Sequence, residues 1–276
     1  MIRTLASLVL LMAAPVRAQD GQQRIDWNRP AQPFRLIGNV HYVGTEGLSA
    51  FLVTSPAGHI LIDGALPESA PLILANIRRL GFRPRDVRYL LLNHAHYDHA
   101  GGLAELKRET GARVLVSAGD APDLRAGRTR GRPELAGFPA VRPDRIVRDG
   151  EQVRLGEIRM TANLTPGHTS GCTSWSTVTA GKQVLFACSL TVAGRKLVEK
   201  GQETRAADEF RRTFDRLRAM KADVFLNFHP EAFDIAGKRA RQQAGNAQAF
   251  VDPGEHSRQV ERADTAFRQE LARQRR

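Results

Sequence analysis

Apolar positions along the chain fall into two regimes, period-two or continuous runs and helical-period stripes. Short runs rich in β-branched and aromatic residues over 35–43, 50–54 and 59–63 predict strands, the last two joined by the turn Ser55-Pro56-Ala57-Gly58. Helical spacing follows over 68–80 and is closed by Gly81. The mostly apolar segment 87–92 predicts a buried strand, followed by a helix over 101–110 and a strand over 114–117. The second half repeats the style. Strands are predicted over 146–147, 152–155 and 157–164, with a hairpin of 174–178 and 183–187 around Ala180-Gly181. A helix over 205–220 then places Phe210, Phe214 and Leu217 on one face, and a strand follows over 223–228. The last helix carries Val260, Ala263, Phe267 and Leu271 as a packing stripe. The segment 119–145, rich in Gly, Pro and Arg, reads as a long loop. The pattern predicts one α+β domain, two sheets with helices outside.

The first residues have a different character. Met1-Ile2-Arg3 is a basic start, and 5–14 is an apolar run of about ten residues, too short to span a bilayer. Val16-Arg17-Ala18 then offers a cleavage site. The expectation is a signal peptide over 1–18, a single domain over 19–276, and export to the periplasm. No later apolar run approaches a membrane span, so stable membrane insertion is not expected. In an oxidising compartment the even pair Cys172 and Cys188 is expected to form a disulfide.

The formal charge is +12, from 41 Lys+Arg against 29 Asp+Glu. The basic residues are dispersed and lack interleaved aromatics for base stacking, so they read as solvated faces and no nucleic-acid partner is expected.

The chemistry concentrates in His94-Ala95-His96-Tyr97-Asp98-His99, where a buried strand ends and a helix begins. Residues two apart in an extended segment point the same way, so His94 and His96 can hold one metal. After the turn, Asp98 and His99 face a neighbouring position, and Gly101-Gly102 leaves room for close packing. Two further histidines follow strands, His168 in Thr165-Pro166-Gly167-His168-Thr169 and His229 after 223–228, and they supply the ligands that a two-metal site still needs. His41, His59 and His256 are read as structural.

Several runs together resemble a metallo-β-lactamase of subclass B3. They are Gly58-His59-Ile60-Leu61-Ile62-Asp63-Gly64, the histidine run with Ala100-Gly101-Gly102, the His168 segment, Cys188-Ser189-Leu190-Thr191, His229-Pro230, Ala236-Gly237-Lys238-Arg239-Ala240 and Phe250-Val251-Asp252-Pro253. The resemblance implies an αββα sandwich, two mixed β-sheets flanked by helices, with two zinc ions per chain between the sheets. His94, His96 and His168 would hold the first, and Asp98, His99 and His229 the second. Asp98 would also orient the water that two cations convert to hydroxide near neutral pH. Ser189 and Thr191 would donate to the carboxylate of a small-molecule β-lactam, and the enzyme would act as a monomer. Two positions depart from the pattern: Arg195 stands where relatives often carry a tyrosine near the substrate, and Asn93 where they often have Thr or Ser. Arg195 is therefore a candidate clamp for the substrate carboxylate.

The expected function is zinc-dependent β-lactam hydrolysis. The same site could serve a lactonase, a thioesterase or a glyoxalase-type enzyme, because fold and metals alone do not fix substrate. A nuclease of the superfamily fits the charge but not the leader. A non-catalytic exported zinc-binding protein is the alternative of a different class.

Overall fold

The computed structural model describes residues 16–129 and 131–276. The expected leader therefore lies almost wholly outside the described residues. Helix α1 (Val16–Trp27) crosses the expected cleavage position.

Two sheets face each other. The first contains β1 (Phe34–Ile37), β2 (Val40–Tyr42), β3 (Phe51–Ser55), β4 (Gly58–Ile62), β5 (Val87–Leu91), β6 (Arg113–Ser117) and β7 (Arg145–Val147), in that spatial order. Its first four strands form an antiparallel meander, and β4 to β7 run parallel. The second contains β8 (Gln152–Leu155), β9 (Ile158–Leu164), β10 (Thr173–Thr179) and β11 (Lys182–Ala187). After a small hairpin of β12 (Val198–Glu199) and β13 (Gln202–Glu203), β14 (Val224–Asn227) joins that sheet parallel to β11. Its spatial order is β14-β11-β10-β9-β8.

Helices cover the outer faces. α2 (Ala70–Arg79), the single turn α3 (Tyr97–Ala100), α4 (Leu103–Thr110) and α5 (Ala121–Ala126) belong to the first half, and α6 (Arg205–Ala219), α7 (Ile235–Gln243) and α8 (Glu255–Gln274) to the second. Leu52, Leu61, Leu90 and Val114 point outward into a core shared with Ile73, Ile77 and Leu106 of α2 and α4. Their strand neighbours Phe51, Val53, Ile60 and Leu91 point inward and meet Trp175 and Phe186 of the opposite sheet. Both faces of β3 and β4 are thus buried, which is why their sequences run apolar without alternation. Phe210 and Phe214 of α6 pack on Phe267 of α8, as the helical stripes predict. The Trp175 indole N–H crosses between the sheets to the Leu92 carbonyl at 3.2 Å, beside the histidine run. The expected αββα sandwich is the observed fold.

The differences are local. The strand expected over 35–43 is the hairpin β1–β2, because Gly38 takes φ 49° and turns the chain. The expected loop 119–145 contains α5, begun by Asp120 and ended by Gly127 at φ 64°. The helix expected over 101–110 is α4, which begins at Leu103, and the separate turn α3 over Tyr97–Ala100 precedes it. α7 buries only Lys238, so no apolar stripe announced it.

Candidate metal centre

Strands β5 and β6 of the first sheet and β9, β11 and β14 of the second end at one rim of the sandwich, where the loops after β5, β9, β11 and β14 converge. His94 and His96 lie on the extended segment leaving β5, His168 follows β9, and His229 follows β14. Three ring nitrogens meet: His168 Nε2 lies 3.1 Å from His94 Nε2 and 3.2 Å from His96 Nδ1. His94, Asp98 and His99 likewise bring ligand atoms within 4.8 Å of one another. His229 approaches from the opposite side, its Nε2 3.6 Å from Asp98 Oδ2 and its ring 5.1 Å from that of His99. All six expected ligands are therefore gathered at this rim.

The surroundings determine which nitrogen each ring presents. His168 Nδ1 donates to the Thr191 carbonyl at 2.7 Å, His99 Nδ1 donates to Asp63 Oδ2 at 2.9 Å, and His94 Nδ1 donates to the side-chain oxygen of Asn93. Each ring is left with its Nε2 toward the centre, the arrangement by which outer groups orient metal ligands. Burial holds His94 and His96 neutral, far below the usual imidazole range, and lowers His168 to about 4. Burial likewise lowers His229 to about 4. Neutral imidazoles crowded nitrogen to nitrogen at near-contact distance gain nothing from one another, whereas a cation between them satisfies every lone pair. His99 Nε2 is buried without a hydrogen-bond partner, although Asp98 Oδ2 is 3.3 Å away. This donor set fits a divalent metal that prefers imidazole and carboxylate.

Burial opposes charge on His99, but Asp98 and Asp63 beside it outweigh that penalty and raise its pKa. For Asp98, burial is outweighed in the other direction by the neighbouring histidines, which keep the carboxyl ionised. Asp63 is raised by burial to about 6.

Two openings reach the centre. A groove of about 930 Å³ is lined by His96, Asp98, His168 and His229, with Trp27 and Tyr97 among its walls and residues of α8 along one side. Ser189 and Thr191 line it too, their hydroxyls 3.1 Å apart. An adjoining cleft of about 520 Å³ shares His96 and His168 and contains Arg195. Arg195 Nη1 donates to the His168 carbonyl at 3.3 Å, so the arginine borders the site from the cleft rather than the main groove. Cys172 and Cys188 form a disulfide, with Cα atoms 5.9 Å apart, which ties the segment after His168 to the one before Ser189. Their sulfurs are therefore not thiolate ligands.

Asp63 and Trp27 were missed as site residues in the sequence. Asp63 lies in the run 58–64, and its φ of 65°, unusual for a non-glycine, aims the carboxylate at His99. Trp27 ends α1 with its ring 5.6 Å from that of His229. An isolated tryptophan about 200 positions away in sequence gives no local sign of such a contact. His41, His59 and His256 lie outside the site, His41 and His59 against Phe82 and His256 against Phe225.

Comparison with known proteins agrees with this geometry. A family model described as the metallo-beta-lactamase superfamily matches residues 43–229. A metallo-beta-lactamase of Cronobacter sakazakii named for a HARLDQ motif superposes with a TM-score of 0.87 at 41% identity, covering 92% of this chain and 99% of that one. Set against that motif, the run here has His96 and His99 in the places of arginine and glutamine. A subclass B3 metallo-beta-lactamase of Bradyrhizobium japonicum gives 0.85 at 41% identity, covering 90% and 97%. A curated relative named hydroxyacylglutathione hydrolase, from Rhodospirillum rubrum, is 34% identical over 105 residues, 38% of this chain. The chain spans about a third of that relative's length (34%) and 40% of the next one's.

Proposed function

The chain belongs to the metallo-beta-lactamase superfamily, a family of hydrolases, and on that premise we propose that it is a zinc-dependent β-lactam hydrolase of subclass B3 type. The observation that carries this reading is the similarity to the Bradyrhizobium japonicum subclass B3 enzyme at 41% identity over nearly its whole length. The match to the Rhodospirillum rubrum hydroxyacylglutathione hydrolase covers only 38% of this chain.

His94, His96 and His168 would hold one zinc, and Asp98, His99 and His229 a second. Bound zinc supplies Lewis acidity and lowers the pKa of water toward neutrality. The chain's own groups do the rest. Asp98, kept ionised, accepts a hydrogen bond from the attacking water and orients it toward the lactam carbonyl. Ser189 and Thr191 offer hydroxyl donors along the groove for the substrate carboxylate, and Arg195 adds a cationic donor from the adjoining cleft. Trp27, Tyr97 and Leu190 present apolar surface to the body of the substrate. Hydrolysis forms a C–O bond and breaks the C–N bond; the nitrogen keeps the electron pair and then takes a proton. The disulfide supports export to an oxidising compartment, the signal peptide over 1–18 included.

The curated relatives favour one other reading, a glutathione thioesterase. Parallel assays of the purified protein with a carbapenem, a penicillin and a glutathione thioester separate the two. We expect β-lactam turnover at a kcat/KM at least about tenfold above that for the thioester; the reverse order would overturn the proposal.

A further inference from the structure

Asp120 begins α5, yet its side chain does not cap that helix, the usual use of an aspartate there. Its carboxylate is 1% exposed and accepts three hydrogen bonds from elsewhere. Oδ2 takes the Ala95 backbone N–H at 2.9 Å and the Thr169 hydroxyl at 2.9 Å, and Oδ1 takes the Gly171 backbone N–H at 2.9 Å. Ala95 lies between His94 and His96, and Thr169 follows His168. One carboxylate on the first half of the molecule therefore joins the turn after β5 to the loop after β9, which belongs to the other sheet.

The seat around it has no slack. The Ser117 hydroxyl, at the end of β6, donates to the Gly171 carbonyl at 2.5 Å. A Cβ on Gly171 would collide with the Asp120 backbone and the Ser117 side chain, and one on Gly119 would meet the Ser170 carbonyl at 2.5 Å. The 117–120 turn and the 169–171 loop touch backbone to backbone, with the carboxylate as their polar link.

We propose that Asp120 is a positioning residue that holds His94, His96 and His168 in convergence, and so sets the affinity of that three-histidine set for its metal. The proposal rests on the reading that these histidines hold zinc. Asn is the informative replacement. It keeps the shape but carries an NH₂ that must face either Gly171 N–H or Ala95 N–H, donor against donor, so one side of the link is lost. Thr169→Val removes one bond and leaves the carboxylate in place.

Zinc affinity is read by competition with a chromogenic chelator, for wild type, Asp120→Asn, Thr169→Val and His94→Ala, alongside thermal unfolding of each metal-free protein. Asp120→Asn is expected to weaken one of the two zinc-binding steps, the one His94→Ala abolishes, by about 10–100-fold, and to leave the other step near wild type. Thr169→Val is expected to weaken the same step by a smaller factor. An Asp120→Asn protein that unfolds earlier but binds both zinc ions with wild-type affinity would show a structural role only and overturn the proposal. Should that variant not fold, an unchanged affinity in Thr169→Val would overturn it equally. Wild type that takes up no zinc, or His94→Ala that loses none, would instead remove the metal reading beneath it.

Discussion

Asp63 Oδ2 and His99 Nδ1 lie 2.9 Å apart, both shut off from solvent, and the same carboxylate accepts the Asn93 backbone N–H at 2.8 Å. The pair fixes the His99 tautomer and leaves Nε2 to face Asp98. Asp63→Asn puts an amide where a full carboxylate stood and weakens that hold. The expected result is a second-set zinc affinity lower by about 10–100-fold, with a smaller loss in the first set, because the Asn93 amide that orients His94 itself donates to Asp63. Metal analysis after dialysis checks this, and retention of two tightly bound ions would contradict it.

The disulfide closes a loop with a sequence separation of 16 beside the site. Replacing both Cys172 and Cys188 by Ser is expected to lower stability by about 3 kcal/mol through the unfolded chain. Denaturant unfolding of the double variant against oxidised wild type measures the difference. The His168 loop and the Ser189 segment would also lose their covalent tie, so activity should fall by more than the loss of folded protein explains.

His41 and His59 give the fold an acid sensitivity independent of the metal centre. Each Nδ1 is buried without a partner, and burial lowers both pKa values from the ordinary 6.5. Arg35 and His59 also disfavour charge on His41; around His59, Asp86 favours charge and Arg88 opposes it. Because the folded values lie below the unfolded one, the unfolded chain binds more protons once pH drops under about 6.5, and stability falls from there downward. Above that pH these two groups contribute no pH dependence to stability. A His41→Gln/His59→Gln variant should show a shallower decline in melting temperature below pH 6.5 than wild type. Equal slopes would exclude these two residues as the source.

Arg195 offers a permanent charge beside His168, and burial lowers its pKa without approaching neutrality at any physiological pH. If it clamps the substrate carboxylate, that contact exists in ground and transition states alike, so Arg195→Ala should raise KM and leave kcat nearly unchanged. A loss of about 1–3 kcal/mol corresponds to roughly a 5- to 150-fold rise. Steady-state kinetics with one carbapenem provide the check, and an unchanged KM would return the arginine to a structural role at the His168 carbonyl.

The sandwich was legible because its signals are local. Apolar runs marked the doubly buried strands β3 and β4, and the stripes of Phe210, Phe214 and Phe267 marked α6 and α8. The six histidine and aspartate ligand candidates stood out because such residues rarely cluster at strand ends without a cation. What escaped was what long-range packing creates. The contact of Trp27 with His229, the grip of Asp63 on His99 and the three bonds of Asp120 join segments far apart in sequence, and none leaves a periodic trace. The helix α5 was hidden by its brevity, and α7 by a nearly polar sequence that buries a lysine against Glu255.

The central claim is that this histidine-rich centre opens β-lactam rings with the help of zinc. The most direct measurement is carbapenem ring opening, followed by the loss of its ultraviolet absorbance, with purified protein before chelation, after it, and after return of zinc. The account requires turnover that disappears on chelation and is recovered as zinc is restored, with no recovery in His94→Ala/His96→Ala. Turnover that survives complete metal removal, or zinc-loaded wild type that leaves the carbapenem intact, would contradict it.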